Sequence, residues 1–250
     1  MSVPRTYESR LAELKKEVKR ELRPVTQPVK RAAALVQRPS LPLAIVLGLG
    51  KFALVLALPF LVYVRSAVGL YSQGGLSPML SVIGAGMITA ALLALYAAWL
   101  SRRFKGRRRA ESVMRWVGIP TLVAWATYSL FYLASANAKS AEVRAEYHSL
   151  HPVLRIAVAT AIMGDGDLVL TDSRRVAGDY TRMGLRVNDR TKHYEQKNGW
   201  VHAVDLRTNG RSEIRNRALQ LYFSMMGFQT LRHVGTADHL HVQLPVRPET

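Results

Sequence analysis

The segment Ala237-Asp238-His239-Leu240-His241-Val242-Gln243-Leu244 decides how this chain is read. Histidines alternate with apolar residues, the signature of a half-buried β-strand. Side chains two apart on a strand share a face, so His239 and His241 point into one place. Upstream, Gly199-Trp200-Val201-His202-Ala203-Val204-Asp205-Leu206 reads as a second strand, with another histidine and a carboxylate. Imidazole nitrogens and a carboxylate oxygen suit a zinc ion that keeps one position open for water. Asp205 and His241 are the preferred ligands, and the third is His193 or His202. His239 is the candidate base. Arg174 or Arg175 is the candidate cation for an oxyanion or a substrate carboxylate.

Working outward, these strands belong to a C-terminal region of mixed elements. The pattern predicts a helix over Ala136–Ser149 that lifts the region off a membrane. It predicts a second helix over Pro152–Met163 and a turn at Gly164–Asp167. A short strand Leu168–Thr171, a short helix Ala177–Met183 and a polar loop Leu185–Asn198 follow. Ser212–Met226 is amphipathic, with Gly227 as its stop. Thr230–His233 and His239–Leu244 close the chain as a hairpin. The expectation is a small α+β domain with an antiparallel sheet.

The first half differs in kind. Leu41–Val64 is apolar except for Lys51, and Met79–Leu100 and Trp116–Ala134 carry no charge. Each is long enough to cross about 30 Å of hydrocarbon. Three transmembrane helices are expected, and Gly84, Gly86 and Ala90 give the second a small-residue face, either for close packing or toward lipid. Lys51 is expected to face a protein interior or to snorkel, with a polar neighbour in the bundle. A polar stretch precedes the first run, unlike a cleavable signal.

Charge orients these spans. Residues 1–41 hold ten Lys/Arg against four Glu, and Ser101–Arg115 holds seven against Glu111. Ser66–Pro78 holds none. Basic loops stay in the cytoplasm, which puts the N-terminus inside and everything after Ala134 outside. Residues 5–23 form a basic amphipathic helix, for the inner leaflet or for a partner. The net charge of +18 lies mostly beside the spans, so lipid and topology explain it and nucleic acid is not an expected partner. The absence of cysteine fits an exported domain. The layout is therefore 1–41 cytoplasmic, 42–134 membrane, 135–250 extracytoplasmic.

Residues 150–245 resemble the LAS metallopeptidases, which include D-alanyl-D-alanine peptidases, murein endopeptidases and hedgehog-like domains. Thr191-Lys192-His193 resembles the family's Ser-x-His element, Ala203-Val204-Asp205-Leu206 its Ala-x-Asp strand, and Asp238-His239-Leu240-His241-Val242 its final His-x-His strand. Leu170–Arg175 is similar to the strand-plus-arginine segment of the D-alanyl-D-alanine peptidases. The resemblance implies Zn2+, a hydrolase acting on peptidoglycan peptides, and a bacterial inner-membrane protein with a periplasmic domain. One departure stands out. The family's first histidine precedes the aspartate by seven residues, where this chain has Asn198; His193 lies twelve before and His202 three before. Either a longer loop brings His193 to the metal, or a bulge turns His202 inward, or the site is degenerate. In the last case the domain binds peptidoglycan or serves as a subunit of a membrane complex.

Overall fold

The structure, a computed structural model, describes residues 9–20, 41–104, 111–184, 186–235 and 237–245. The chain divides into two compact units, Met1–Val55 and Leu56–Thr250. In the first, residues 9–20 form an exposed helix, α1. The rest of the expected amphipathic segment, the proline-rich link and the centre of the Arg-rich loop lie outside the described residues. Lys51 is exposed, which leaves snorkelling, rather than a packed interior, as its expected place.

Among the described residues, two helices are long and apolar enough to cross a membrane. They are Ile45–Ser72 within α2 (Leu41–Ser72), and Pro78–Arg102 within α3 (Pro78–Phe104). The third apolar run departs from the expected span. It is helical over 111–131, but a π-helical turn at Met114–Gly118 interrupts it. The regular part, α4 (Ile119–Phe131), has 13 residues. At 1.5 Å per residue it reaches only about 20 Å, so a crossing here would need the whole helical run 111–131, π-turn included. Pro120 supplies the cause: it has no N–H for the preceding turn, so the hydrogen-bond ladder shifts register there.

α2 also runs beyond its expected end at Val64. Ala67, Val68, Tyr71 and Ser72 are buried on one face, so packing extends a helix that hydropathy alone would stop. Gly84 and Gly86 do what small residues are expected to do. A Cβ on Gly84 would lie 2.9 Å from Leu70 Cδ1, and one on Gly86 3.5 Å from the Tyr63 ring. The helices approach closely because those side chains are missing.

Ala136–Ser149 does not form one helix lifting a domain away. It breaks into a 3-10 turn at Ser135–Asn137, a short α5 (Ala141–Ala145) and a 3-10 turn at Glu146–Ser149. Buried Asn137 donates to the carbonyls of Gly166 and Leu168, both at 2.8 Å. Buried Tyr147 donates to Ser129 O at 2.7 Å. These side chains clamp the segment down.

Behind it, α6 (Pro152–Gly164) is apolar on nearly every side, as a central helix must be. It packs on α3 and α4 and also on α8 (Glu213–Met226). His151 caps it, its Nδ1 accepting from Val153 N at 3.3 Å. One apolar core thus runs from Tyr63 and Val82 through α6 to Leu240 and Val242.

The sheet contains β1 (Leu170–Asp172), β2 (Ala203–Arg207), β3 (Gln229–His233) and β4 (His239–Gln243), in the order β1-β2-β4-β3, all antiparallel. Between β1 and β2 lie α7 (Ala177–Arg182) and the loop that carries His193. Val204, Leu206, Leu240 and Val242 face the core. By alternation Asp205, Arg207, His239 and His241 take the other face.

Candidate metal centre

The site forms because β2 and β4 are neighbours in register. Asp205 stands directly opposite His241, and Arg207 opposite His239. The long loop before β2 brings in the third group: His193 is 2% exposed and sits against both. Asp205 Oδ1 lies 2.9 Å from His241 Nδ1 and 3.3 Å from His193 Nε2. The two ring nitrogens are 3.2 Å apart.

The outer contacts fix where the protons are. His193 Nδ1 lies 2.6 Å from Ser173 O. A carbonyl only accepts, so Nδ1 carries the hydrogen and Nε2 presents a lone pair. Gln243 Nε2 donates to Gln229 Oε1 at 2.6 Å, which turns Gln243 Oε1 toward His241 Nε2 at 3.2 Å. His241 therefore carries its hydrogen on Nε2 and aims the Nδ1 lone pair at Asp205. Three acceptors converge, and either an added proton on a facing ring nitrogen or a metal ion satisfies them. Metal-bound histidines are held in this way by carbonyl or amide partners.

The spacing fits a metal. Donors about 2.1 Å from an ion stand roughly 3.0 Å apart in octahedral and 3.4 Å apart in tetrahedral geometry, which brackets the 3.2 and 3.3 Å separations and comes close to the 2.9 Å one. Two nitrogens and one oxygen favour a first-row divalent ion over calcium or magnesium. The His193, Asp205 and His241 group can hold a metal ion.

Electrostatics point the same way. Burial opposes the Asp205 charge, but the contacts of His193 and His241 and the charges of His193 and Arg175 outweigh it. They hold the carboxyl far below the usual range. Burial would also lower the His241 pKa, yet Asp205 and Gln243 reverse the sign and raise it. The pocket demands positive charge.

The expected site residues separate clearly. His202, weighed as a ligand, does not join. It precedes Asp205 by three residues and packs behind the sheet, with its ring 5.0 Å from His151 and 5.9 Å from Tyr71. Asn198 Oδ1 lies 3.1 Å from His202 Nε2. Burial, then Lys192, push the His202 pKa down to about 4.

Arg174 turns away, pairing with Glu195 at 3.3 Å. Arg175 enters the site, but carboxylates already engage it: NH2 meets Asp205 Oδ2 at 2.7 Å and Nε meets Asp172 Oδ2 at 2.8 Å. It positions Asp205, and substrate would find these donors occupied. Desolvation would lower its pKa, but Asp205 and Asp172 raise it.

His239 faces the cleft. Its Nδ1 donates to Ala237 O at 2.6 Å, and its Nε2 stands 3.7 Å from Asp205 Oδ2. Asp238 is a brace: Arg232 donates to it at 2.7 and 2.8 Å and Thr208 at 2.6 Å. The site opens into a cleft of about 1020 Å³.

Comparison with family models, curated proteins and solved structures gives no match, so the chemistry must be read from this geometry. Sequence reasoning passed over two positioning groups. Gln243 had a signal, since it follows His241 by two on the same strand face. Ser173 had none, because it acts through its backbone.

Proposed function

We propose that this chain is a membrane-anchored, zinc-dependent peptidase acting on peptidoglycan peptides outside the cytoplasmic membrane, as a carboxypeptidase or endopeptidase. One observation carries the reading: the lone pairs of His193 Nε2, Asp205 Oδ1 and His241 Nδ1 converge at the floor of a cleft that His239 also lines. The helical run 111–131 serves as a third crossing, and the basic flanks keep the N-terminus in the cytoplasm.

Bound zinc supplies a Lewis acid and an acidified water. The protein supplies the rest. Ser173 O and Gln243 hold the two rings in their metal-binding tautomers, and Arg175 holds Asp205. His239 Nε2 takes a proton from the attacking water and returns it to the departing amine. The resemblance to LAS peptidases adds the cell-wall substrate.

The test uses purified full-length protein in detergent with two substrates: a pentapeptide ending in D-alanyl-D-alanine and a cross-linked muropeptide. Mass spectrometry should find cleavage that a chelator abolishes and zinc restores. His239→Ala should slow it by roughly 10²- to 10⁴-fold. If metal-loaded protein turns over neither substrate, the reading fails. Binding to sacculi without turnover would then favour a peptidoglycan-binding subunit.

A further inference from the structure

The cleft carries more positive charge than its chemistry uses. Its acids are Asp172, Asp205 and Asp238. Arg175 engages the first two and Arg232 the third. Lys139, Arg190, Lys192 and Arg207 also line it, and none of them meets a carboxylate among the described residues. Lys192 Nζ donates to the neutral Gln196 Oε1 at 3.2 Å.

Arg207 has a fixed place in this arrangement. It follows Asp205 by two on β2, so it shares the catalytic face, about 7 Å along the strand. Its register partner is His239, the candidate base. Its backbone N–H donates to Val169 O, and that of Lys139 donates to Leu170 O. The two backbones therefore flank β1 from opposite sides, two strand spacings or about 10 Å apart, and both side chains line the cleft. A carboxylate held there lies within about two residues of the scissile bond, since an extended peptide advances about 3.4 Å per residue. Arg190 and Lys192 add charge along the loop that carries His193.

We propose that this cleft selects acidic peptides, and that Arg207, assisted by Lys139, reads a substrate carboxylate one or two residues from the bond being cut. The proposal rests on the peptidase reading for the word substrate, but the cationic wall stands without the metal. A free carboxylate meeting a guanidinium outside any existing ion pair gains a charge-assisted bond, whereas its amide does not.

The probes are two fluorescent D-alanyl-D-alanine pentapeptides that differ only in one internal residue, glutamate or glutamine. Binding to full-length, chelator-treated protein in detergent is followed by polarization at low and at physiological salt. Wild type should prefer the acidic peptide by about tenfold, less at the higher salt. Arg207→Gln combined with Lys139→Gln should erase the preference and leave the zinc content unchanged. Arg207→Lys should keep part of it, which a folding defect would not.

Equal binding of the two peptides to wild type overturns the proposal. So does a preference that survives the double substitution, or an oligonucleotide that outcompetes both peptides. If the preference appears while metal and turnover do not, the peptidase reading has failed and the acidic selectivity stands.

Discussion

Arg174 and Arg175 are neighbours of identical type, and the fold gives them opposite weights. Arg175 is 15% exposed, and its partners Asp205 and Asp172 are 4% and 25% exposed. Arg174 and Glu195 are 47% and 51% exposed. Arg175→Gln strands the Asp205 charge, which is nearly fully buried. Removing one member of a buried pair costs about 3–5 kcal/mol. A contact near 3 Å at an effective dielectric of 20 gives about 5 kcal/mol, so the two estimates agree. A unit of this size loses roughly 2–4 °C per kcal/mol, so the melting temperature should fall by about 6–20 °C. Arg174→Gln removes a solvated pair worth about 0–1 kcal/mol and should shift it by no more than about 4 °C. The assay is thermal unfolding of chelator-treated, detergent-solubilised protein, followed by tryptophan fluorescence. Equal shifts for the two variants would refute the assignment of Arg175 as the group that holds Asp205.

Gln243→Leu should weaken zinc binding by about 10- to 100-fold in competition with a chromogenic chelator, because His241 loses the contact that fixes its tautomer. His202, held near pH 4 when folded, takes up a proton more readily unfolded, at about pH 6.5. Its burial therefore costs nothing above pH 6.5 and removes stability as pH falls from there to about 4, so His202→Gln should flatten the acid limb of a denaturant-measured stability profile. Gly227 holds φ at +96°, and a Cβ there would stand 3.2 Å from both Arg65 Nη1 and Val68 Cγ1. Gly227→Ala should cost about 1–2 kcal/mol in the same unfolding measurement.

The strands and α8 were legible in the sequence because local signals agree there. Alternation marks β4, Ser212 caps α8 with its hydroxyl on Arg215 N, and Gly227 ends it in the left-handed region. The pairing of Asp205 with His241 could be expected from the two motifs alone. What stayed hidden depends on contacts distant in sequence. The choice of His193 over His202 turns on a long loop whose path is set by Ser173 O and by Asn198 reaching Tyr71. Apolar length suggested a third uniform span, but Pro120 reorganises its first turns. The Ala/Glu-rich stretch after it has helical composition, yet Asn137 and Tyr147 bind distant carbonyls and break it.

The most direct test of the account is elemental analysis of the full-length protein, purified without chelator, for zinc and other first-row metals. One zinc per chain is predicted, lost in His193→Ala, Asp205→Ala and His241→Ala but retained in His202→Ala. A metal-free wild type, iron in place of zinc, or metal that survives His241→Ala while disappearing with His202→Ala would contradict it.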